Sequence, residues 1–236
     1  MLEIIRTYFE RGKNIRRPPG NSRHSDTATN RGRSRCPGVA NANTIVVIGT
    51  SAGGVAALRK LIARFEPSWP VSVFITIHTG KHRNWMPDIL NWDSRLRVRF
   101  AEHQESFGSG IYMAPPDRHL IVGHTKTSLS PGPTENHTRP AIDPMFRSAA
   151  RNHDGRVIGV LLTGYLYDGM NGLCEIHRLG GTTIVQDPVD AEVPEIPRYA
   201  LARLQPDRVL PLAEIPNAIS EQLGKEQGSS DRRSRP

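Results

Sequence analysis

Cysteine is almost absent from this 236-residue chain: Cys36 and Cys174 are the only two. That is too few for a disulfide framework or a thiolate metal cluster. Aromatic residues make up only 6%. No stretch approaches the ~20 consecutive apolar residues of a membrane-spanning helix. Residues 2–9, Leu-Glu-Ile-Ile-Arg-Thr-Tyr-Phe, have room for an amphipathic turn or two but lack the apolar stretch of about 7–15 residues that a signal peptide needs. These absences predict a cytoplasmic protein without membrane insertion.

Charge of one sign is also missing from the middle of the chain. The net charge is +8, yet residues 41–224 hold 18 basic and 18 acidic side chains. The excess lies outside them: nine Lys/Arg against three Asp/Glu in residues 1–40, and four against two in residues 225–236. Both ends are rich in Arg, Ser, Gly, Asn and Pro, a composition that buries too little apolar surface to order itself. We therefore expect disordered basic tails at 1–43 and 225–236 around one domain, 44–224, which matches the ~150–200 residues of a single core. A basic tail supplies only non-specific attraction to polyanions, so no specific nucleic-acid partner is expected.

Between the tails, short apolar runs alternate with helical patterns. Strands are expected at 44–49, 72–77, 97–101, 156–162, 182–186 and 208–211, and helices at 54–65, 83–92, 144–152, 169–179, 196–203 and 212–223. Runs such as Ile45-Val-Val-Ile48 and Val157-Ile-Gly-Val-Leu-Leu162 are apolar at both alternating positions, as strands covered on both faces of a parallel sheet must be. The fold class is α/β: a doubly wound, mainly parallel sheet with helices on both faces. Gly110–Pro115, His119–Val122 and Thr127–Ser130, joined by short polar turns, predict a small antiparallel meander inserted between βα units.

What is present is a glycine turn carrying one serine. Val47-Ile-Gly-Thr-Ser51-Ala-Gly-Gly54 runs from an apolar strand into a helical pattern, and Gly49 to Gly53 fit G-x-S-x-G, a strand-to-helix elbow that exposes a hydroxyl at the positive end of a helix. Glycine turns after a first strand also cradle phosphates. The dinucleotide pattern G-x-G-x-x-G fails at Ser51, however, and no Lys-Ser or Lys-Thr pair follows Gly54 as a P-loop requires. On spacing alone a structural or phosphate-binding turn and a nucleophile elbow stand level.

In an open parallel sheet, sites gather at the carboxyl ends of the strands. Ser51 follows the first strand, His78 the second, and Asp168 the run 156–162. A hydroxyl nucleophile needs a base to take its proton, and the base needs an acceptor on its other nitrogen, so the three supply the parts of a catalytic triad. Taken singly, each has a plain structural role: a turn serine, a histidine bonded to a loop carbonyl, and an aspartate capping the helix that begins at Gly169. Coincidence at three strand ends favours the triad. Histidines 78 and 82 also have the i, i+4 spacing of a metal pair, but without the Glu of H-E-x-x-H or a third ligand no metal site is assigned. The other histidines are assigned to solvated or structural positions, His137 excepted.

These residues lie in a longer pattern. The elbow, the strand ending in His78, Tyr112-Met-Ala-Pro-Pro-Asp117, Arg139-Pro-Ala-Ile-Asp-Pro-Met-Phe-Arg-Ser148, Leu162-Thr-Gly with Asp168-Gly169, and Gln186-Asp-Pro188 together resemble the catalytic domain of the chemotaxis protein-glutamate methylesterases, the CheB-type enzymes, over about residues 44–223. The resemblance implies a serine hydrolase that removes the γ-methyl ester from glutamate side chains on the cytoplasmic helices of methyl-accepting chemoreceptors, with Ser51 as nucleophile, His78 as base and Asp168 as its orienting carboxylate. It implies no cofactor, and glutamine deamidation as a second reaction. It places Ala52, Gly53 and Tyr165 by the oxyanion site. Arg139 and His137, with Asn136, are candidates to line the substrate groove, and Asp143 is expected to cap its own helix with Pro144 as first residue.

Two departures accompany the resemblance. Family members of the best-known type carry a receiver domain, and residues 1–43 are too short for one, which implies control by a separate receiver or chemosensory signalling protein. The loop before Asp168 usually reads Thr-Gly-Met and then small or acidic residues, whereas this one reads Thr163-Gly-Tyr-Leu-Tyr167. A rival reading follows from that loop: a catalytically weak or silent module that keeps the fold and binds a receptor or signalling partner.

Overall fold

The computed structural model describes residues 44–78, 85–154 and 156–233, with 225–233 as backbone. The expected tail at 1–43, with Cys36 and the turn at 2–9, lies outside the described residues, as does His82.

Seven strands form one parallel sheet: β1 (Ile45–Thr50), β2 (Ser72–Ile77), β3 (Val98–Phe100), β4 (Gly110–Met113), β7 (Val157–Leu161), β8 (Thr182–Gln186) and β9 (Arg208–Leu210). Their spatial order is β3-β4-β2-β1-β7-β8-β9, and a separate antiparallel pair joins β5 (His119–Val122) to β6 (Thr127–Ser130). The helices are α1 (Gly54–Ile62), α2 (Met86–Asn91), α3 (Ile142–Asn152), α4 (Met170–Arg178), α5 (Glu195–Arg203) and α6 (Ile215–Arg233). The doubly wound α/β architecture is therefore present, with strand ends shifted by a residue or two from the sequence reading.

The double apolar character of β1 is satisfied on both sides. Side chains alternate across a strand: Val46 and Ile48 join Leu58, Leu61 and Ile62 of α1 and Ile215 and Ile219 of α6 in one core. Ile45 and Val47 join Phe74, Met145 and Phe146 of α3, Leu173 and Ile176 of α4 and Ile196 of α5 in the other.

One expectation is corrected. Gly110–Met113 is no part of an antiparallel meander: β4 pairs in parallel with both β2 and β3. Burial explains the placement. Ile111, Tyr112 and Met113 are all buried, which a strand on a one-sided hairpin cannot achieve but a strand inside a doubly covered sheet must. Only β5 and β6 remain antiparallel, and they pack with α3 in the second core. At the other end of the chain α6 continues through Arg233, past the expected boundary at 224.

The sheet sets up the site. From β1 the chain winds outward through β2, then returns to β7 on the other side of β1, so the winding direction reverses between these two strands. Such a reversal opens a crevice at the carboxyl ends. The register levels those ends: Thr50 lies opposite Ile77, and Gly49 opposite both Thr76 and Leu161.

Candidate active site

The elbow after β1 is shaped by glycine rather than by its serine. Among the described residues Gly53 takes a left-handed φ of 77°, while Ser51 is not among the non-glycine residues with positive φ. A Cβ on Gly53 would lie 2.9 Å from Cβ of Glu192 and 3.0 Å from Oγ1 of Thr163. Gly53→Ala is thus expected to cost at least about 1–3 kcal/mol from the backbone conformation alone. A lowered denaturant midpoint checks this, and an unchanged one would contradict the packing described.

Thr163, to which the Leu162-Thr-Gly motif assigned no role, fastens the turn to β7. Its carbonyl accepts from the Ser51 amide at 3.0 Å and from the Thr50 hydroxyl at 2.9 Å. Its own hydroxyl lies 3.0 Å from the carbonyl of Ala52 and accepts from the Val193 amide at 2.8 Å. The available signal was a threonine at the end of a strand beside the elbow, since a buried hydroxyl there has to find partners.

The three strand-end residues meet. His78 Nδ1 lies 3.1 Å from Ser51 Oγ, and its Nε2 lies 2.7 Å from Asp168 Oδ2. A carboxylate only accepts, so the proton between them sits on Nε2, and Nδ1 is left to accept from the serine hydroxyl. The ring faces are thus reversed relative to the trypsin arrangement, in which Nε2 faces the serine; the role of each residue is the same. Asp168 is 2% exposed at its side chain and His78 18%, so the orienting group is dry and the base reaches the surface.

Asp168 does not cap the helix that follows it. That helix begins at Met170 behind a left-handed Gly169 without a side-chain cap. The carboxylate turns instead to the N-terminus of α3: Oδ2 accepts from the Ile142 amide at 2.7 Å and Oδ1 from the Asp143 amide at 3.2 Å. Asp143 makes the reciprocal exchange. It does not cap α3, whose N-cap position is Ala141, but accepts from the Gly172 amide of α4 at 2.7 Å. The two aspartates cap each other's helices. This also explains why α3 starts at Ile142 rather than at Pro144: the carboxylate from outside satisfies the first two amides, and the proline falls in the first turn, where its missing N–H costs nothing.

Asn136 bridges the pair, its Nδ2 donating to Asp168 Oδ1 at 2.6 Å and to Asp143 Oδ2 at 2.9 Å. Its left-handed backbone, φ 50°, suits an asparagine. Of the three groove candidates, only Asn136 reaches the triad. Arg139 is committed elsewhere, with Nε 3.0 Å and Nη2 2.6 Å from Asp117 Oδ1 and Nη1 2.8 Å from the Pro131 carbonyl. His137 is exposed on the turn, with φ 66°. Tyr165 is 57% exposed.

The two carboxyls are pushed in opposite directions. Burial drives Asp168 upward, but the bond and charge of His78, the Ile142 amide and Asn136 outweigh it and hold the group below its usual value. Asp143 is raised, by burial first and the charge of Asp168 second. Asp168 therefore contributes stability above about pH 4, lost as pH falls through its lower folded value. Asp143 has the opposite sign: its ionisation costs stability near neutrality, a cost relieved as pH falls through its raised value. Asp143→Asn removes that relief. Stability of the variant, followed as the pH dependence of the denaturant midpoint, is expected to fall more steeply than wild type as pH is lowered toward about 4; equal slopes would contradict the assignment.

Around Ser51 the free donors are backbone. Among the described residues the amides of Ala52 and Gly53, at the N-terminus of α1, donate to no protein acceptor. No group of three metal-ligating side chains occurs among the described residues.

The CheB methylesterase family model matches residues 46–219, which span β1 to α6 and include all three strand-end residues. The chain belongs to the CheB methylesterase family. A putative protein-glutamate methylesterase/protein-glutamine glutaminase of Leptospira interrogans is 37% identical over 174 residues, covering 72% of this chain and 90% of the relative. A protein-glutamate methylesterase/protein-glutamine glutaminase of Anaeromyxobacter dehalogenans is 37% identical over 193 residues, covering 80% of this chain and 56% of the relative. The Thermotoga maritima CheB methylesterase catalytic domain superposes with a TM-score of 0.71 at 30% identity, over 77% of this chain and 97% of that one. As a CheB-type domain the chain has the fold and the hydrolase character read from its motifs.

Proposed function

We propose that this protein hydrolyses the γ-methyl ester of glutamate side chains on the cytoplasmic helices of chemoreceptors, in the cytoplasm, with Ser51, His78 and Asp168 as the catalytic triad. The single observation that carries the reading is the chain of bonding contacts from Ser51 Oγ to His78 Nδ1 and from His78 Nε2 to Asp168. No described helix is long and apolar enough to cross a membrane, which suits an enzyme that meets its receptor from solution.

The chemistry follows from the proton positions. Ser51 Oγ attacks the ester carbonyl while its proton passes to His78 Nδ1. Charge develops on the carbonyl oxygen, and we assign its stabilisation to the free amides of Ala52 and Gly53, aided by the dipole of α1. The C–O bond to methoxy breaks, His78 returns the proton to it, and methanol leaves a γ-glutamyl ester on Ser51. Water then attacks that ester with His78 again as base, giving glutamate and free serine. Asp168 keeps its charge throughout and stabilises the imidazolium. A glutamine side chain would pass through the same acyl-enzyme with ammonia leaving, which accommodates deamidation without a further residue.

The test is methanol release from a methyl-esterified receptor segment incubated with the protein. Release from the esterified segment and none from its unesterified counterpart is the expected result. No release by folded protein would favour the silent binding module instead.

A further inference from the structure

Large apolar side chains are exposed at eight positions among the described residues, and four of these belong to one spot: Tyr165, Leu166 and Tyr167 in the β7–α4 loop, and Tyr199 on α5. They are 57%, 51%, 37% and 49% exposed, and the Tyr167 and Tyr199 rings meet edge to face at 6.2 Å. The spot adjoins the reacting atoms. A Cβ on Gly164, at the start of the loop, would lie 2.6 Å from Cβ of Ser51, and the loop ends at Asp168.

Folding alone does not account for this surface. Leu166 holds a left-handed φ of 67°, a conformation that glycine or asparagine adopts at less cost, and its side chain gains little burial in return. Nor is the loop slack. The Leu166 amide donates to Glu195 at 3.0 Å, the Gly164 amide to the Val193 carbonyl at 3.0 Å, and the Ile196 amide to the Gly164 carbonyl at 3.0 Å. An exposed apolar residue held under backbone strain beside a nucleophile marks a surface shaped for a ligand.

We infer that Tyr165, Leu166, Tyr167 and Tyr199 form a shelf on which the substrate helix lays its apolar face while its esterified glutamate reaches Ser51, so that these residues set substrate specificity. The inference rests on the esterase reading above. A glutamate side chain is only a few bonds long, so a helix that delivers its γ-carbonyl to Ser51 lies across the loop connecting Gly164 to Asp168. On that helix the residues three and four positions from the ester share its face. Apolar side chains there match the exposed apolar side chains of the shelf.

The test compares two substrates: a helical receptor peptide carrying one methyl-esterified glutamate, and methyl acetate, which has the same leaving group but no helix to lay on the shelf. Leu166→Gly relieves the strained backbone and Tyr199→Ser changes a surface position on a helix, so neither variant threatens the fold. Each is expected to raise KM for the peptide about tenfold, with kcat on the peptide and kcat/KM on the small ester within about twofold of wild type. Unchanged peptide KM in both variants would overturn the shelf, as would equal losses on both substrates, which would move these residues into the catalytic geometry. Weakened self-association with unchanged peptide KM would assign the surface to a second copy of this chain and likewise overturn the proposal. If wild type hydrolyses neither substrate, the esterase reading fails separately, and fluorescence anisotropy of the labelled peptide still decides: weaker binding by the variants supports the shelf, and equal binding removes it.

Discussion

Asp168→Asn is expected to lower turnover on methyl-esterified glutamate by up to about 10⁴-fold and to destabilise the fold by about 1–3 kcal/mol. The catalytic loss has the cause familiar from triads: an amide donates to the ring nitrogen that must itself carry a proton, leaving the other nitrogen unable to accept from Ser51. The stability loss is particular to this architecture. Both oxygens of Asp168 accept from two donors each, His78 and the Ile142 amide on one side, Asn136 and the Asp143 amide on the other. Whichever way the new amide turns, its NH₂ faces two donors, and α3 loses part of its cap. Turnover and denaturant midpoint measured on one preparation check both effects. An active variant of wild-type stability would return Asp168 to a peripheral role.

Ser51→Ala and His78→Ala are each expected to reduce turnover on the order of 10³-fold or more, with the double variant hardly worse than either alone, because nucleophile and base act as one unit. Neither loss should cost much stability. Ser51 and His78 are partly exposed, and the elbow is held by Thr163 and Gly53 rather than by the serine hydroxyl. Multiplicative losses in the double variant would show that the two side chains act on separate steps.

The parallel sheet and its three strand-end residues were legible because both depend on local pattern. Continuous apolar runs in β1 and β7 specify strands covered on both faces, and whatever follows such strands is delivered to the same edge. What was not legible depends on partners distant in sequence. Tyr112 and Met113 form a short apolar run that fits a hairpin or a sheet interior equally well, and only its neighbours β2 and β3 decide. The aspartate exchange is of the same kind. Asp143 and Asp168 both stand where a local cap is expected, and each caps the other's helix because α3 and α4 pack with their N-termini together. Arg139 reads as a site residue from its motif, yet its guanidinium is taken up by Asp117 and the Pro131 carbonyl. Asn136 is selected by the left-handed turn that aims its amide at two carboxylates, and nothing in its local sequence announces those targets.

The most direct measurement of the central claim is mass spectrometry of the protein quenched during turnover on a methyl-esterified receptor peptide. The account predicts a peptide-acyl adduct on Ser51 that is absent in Ser51→Ala, together with loss of methanol release by that variant. Methanol release by Ser51→Ala at the wild-type rate would contradict the assignment of Ser51 as nucleophile and, with it, the mechanism built on the triad.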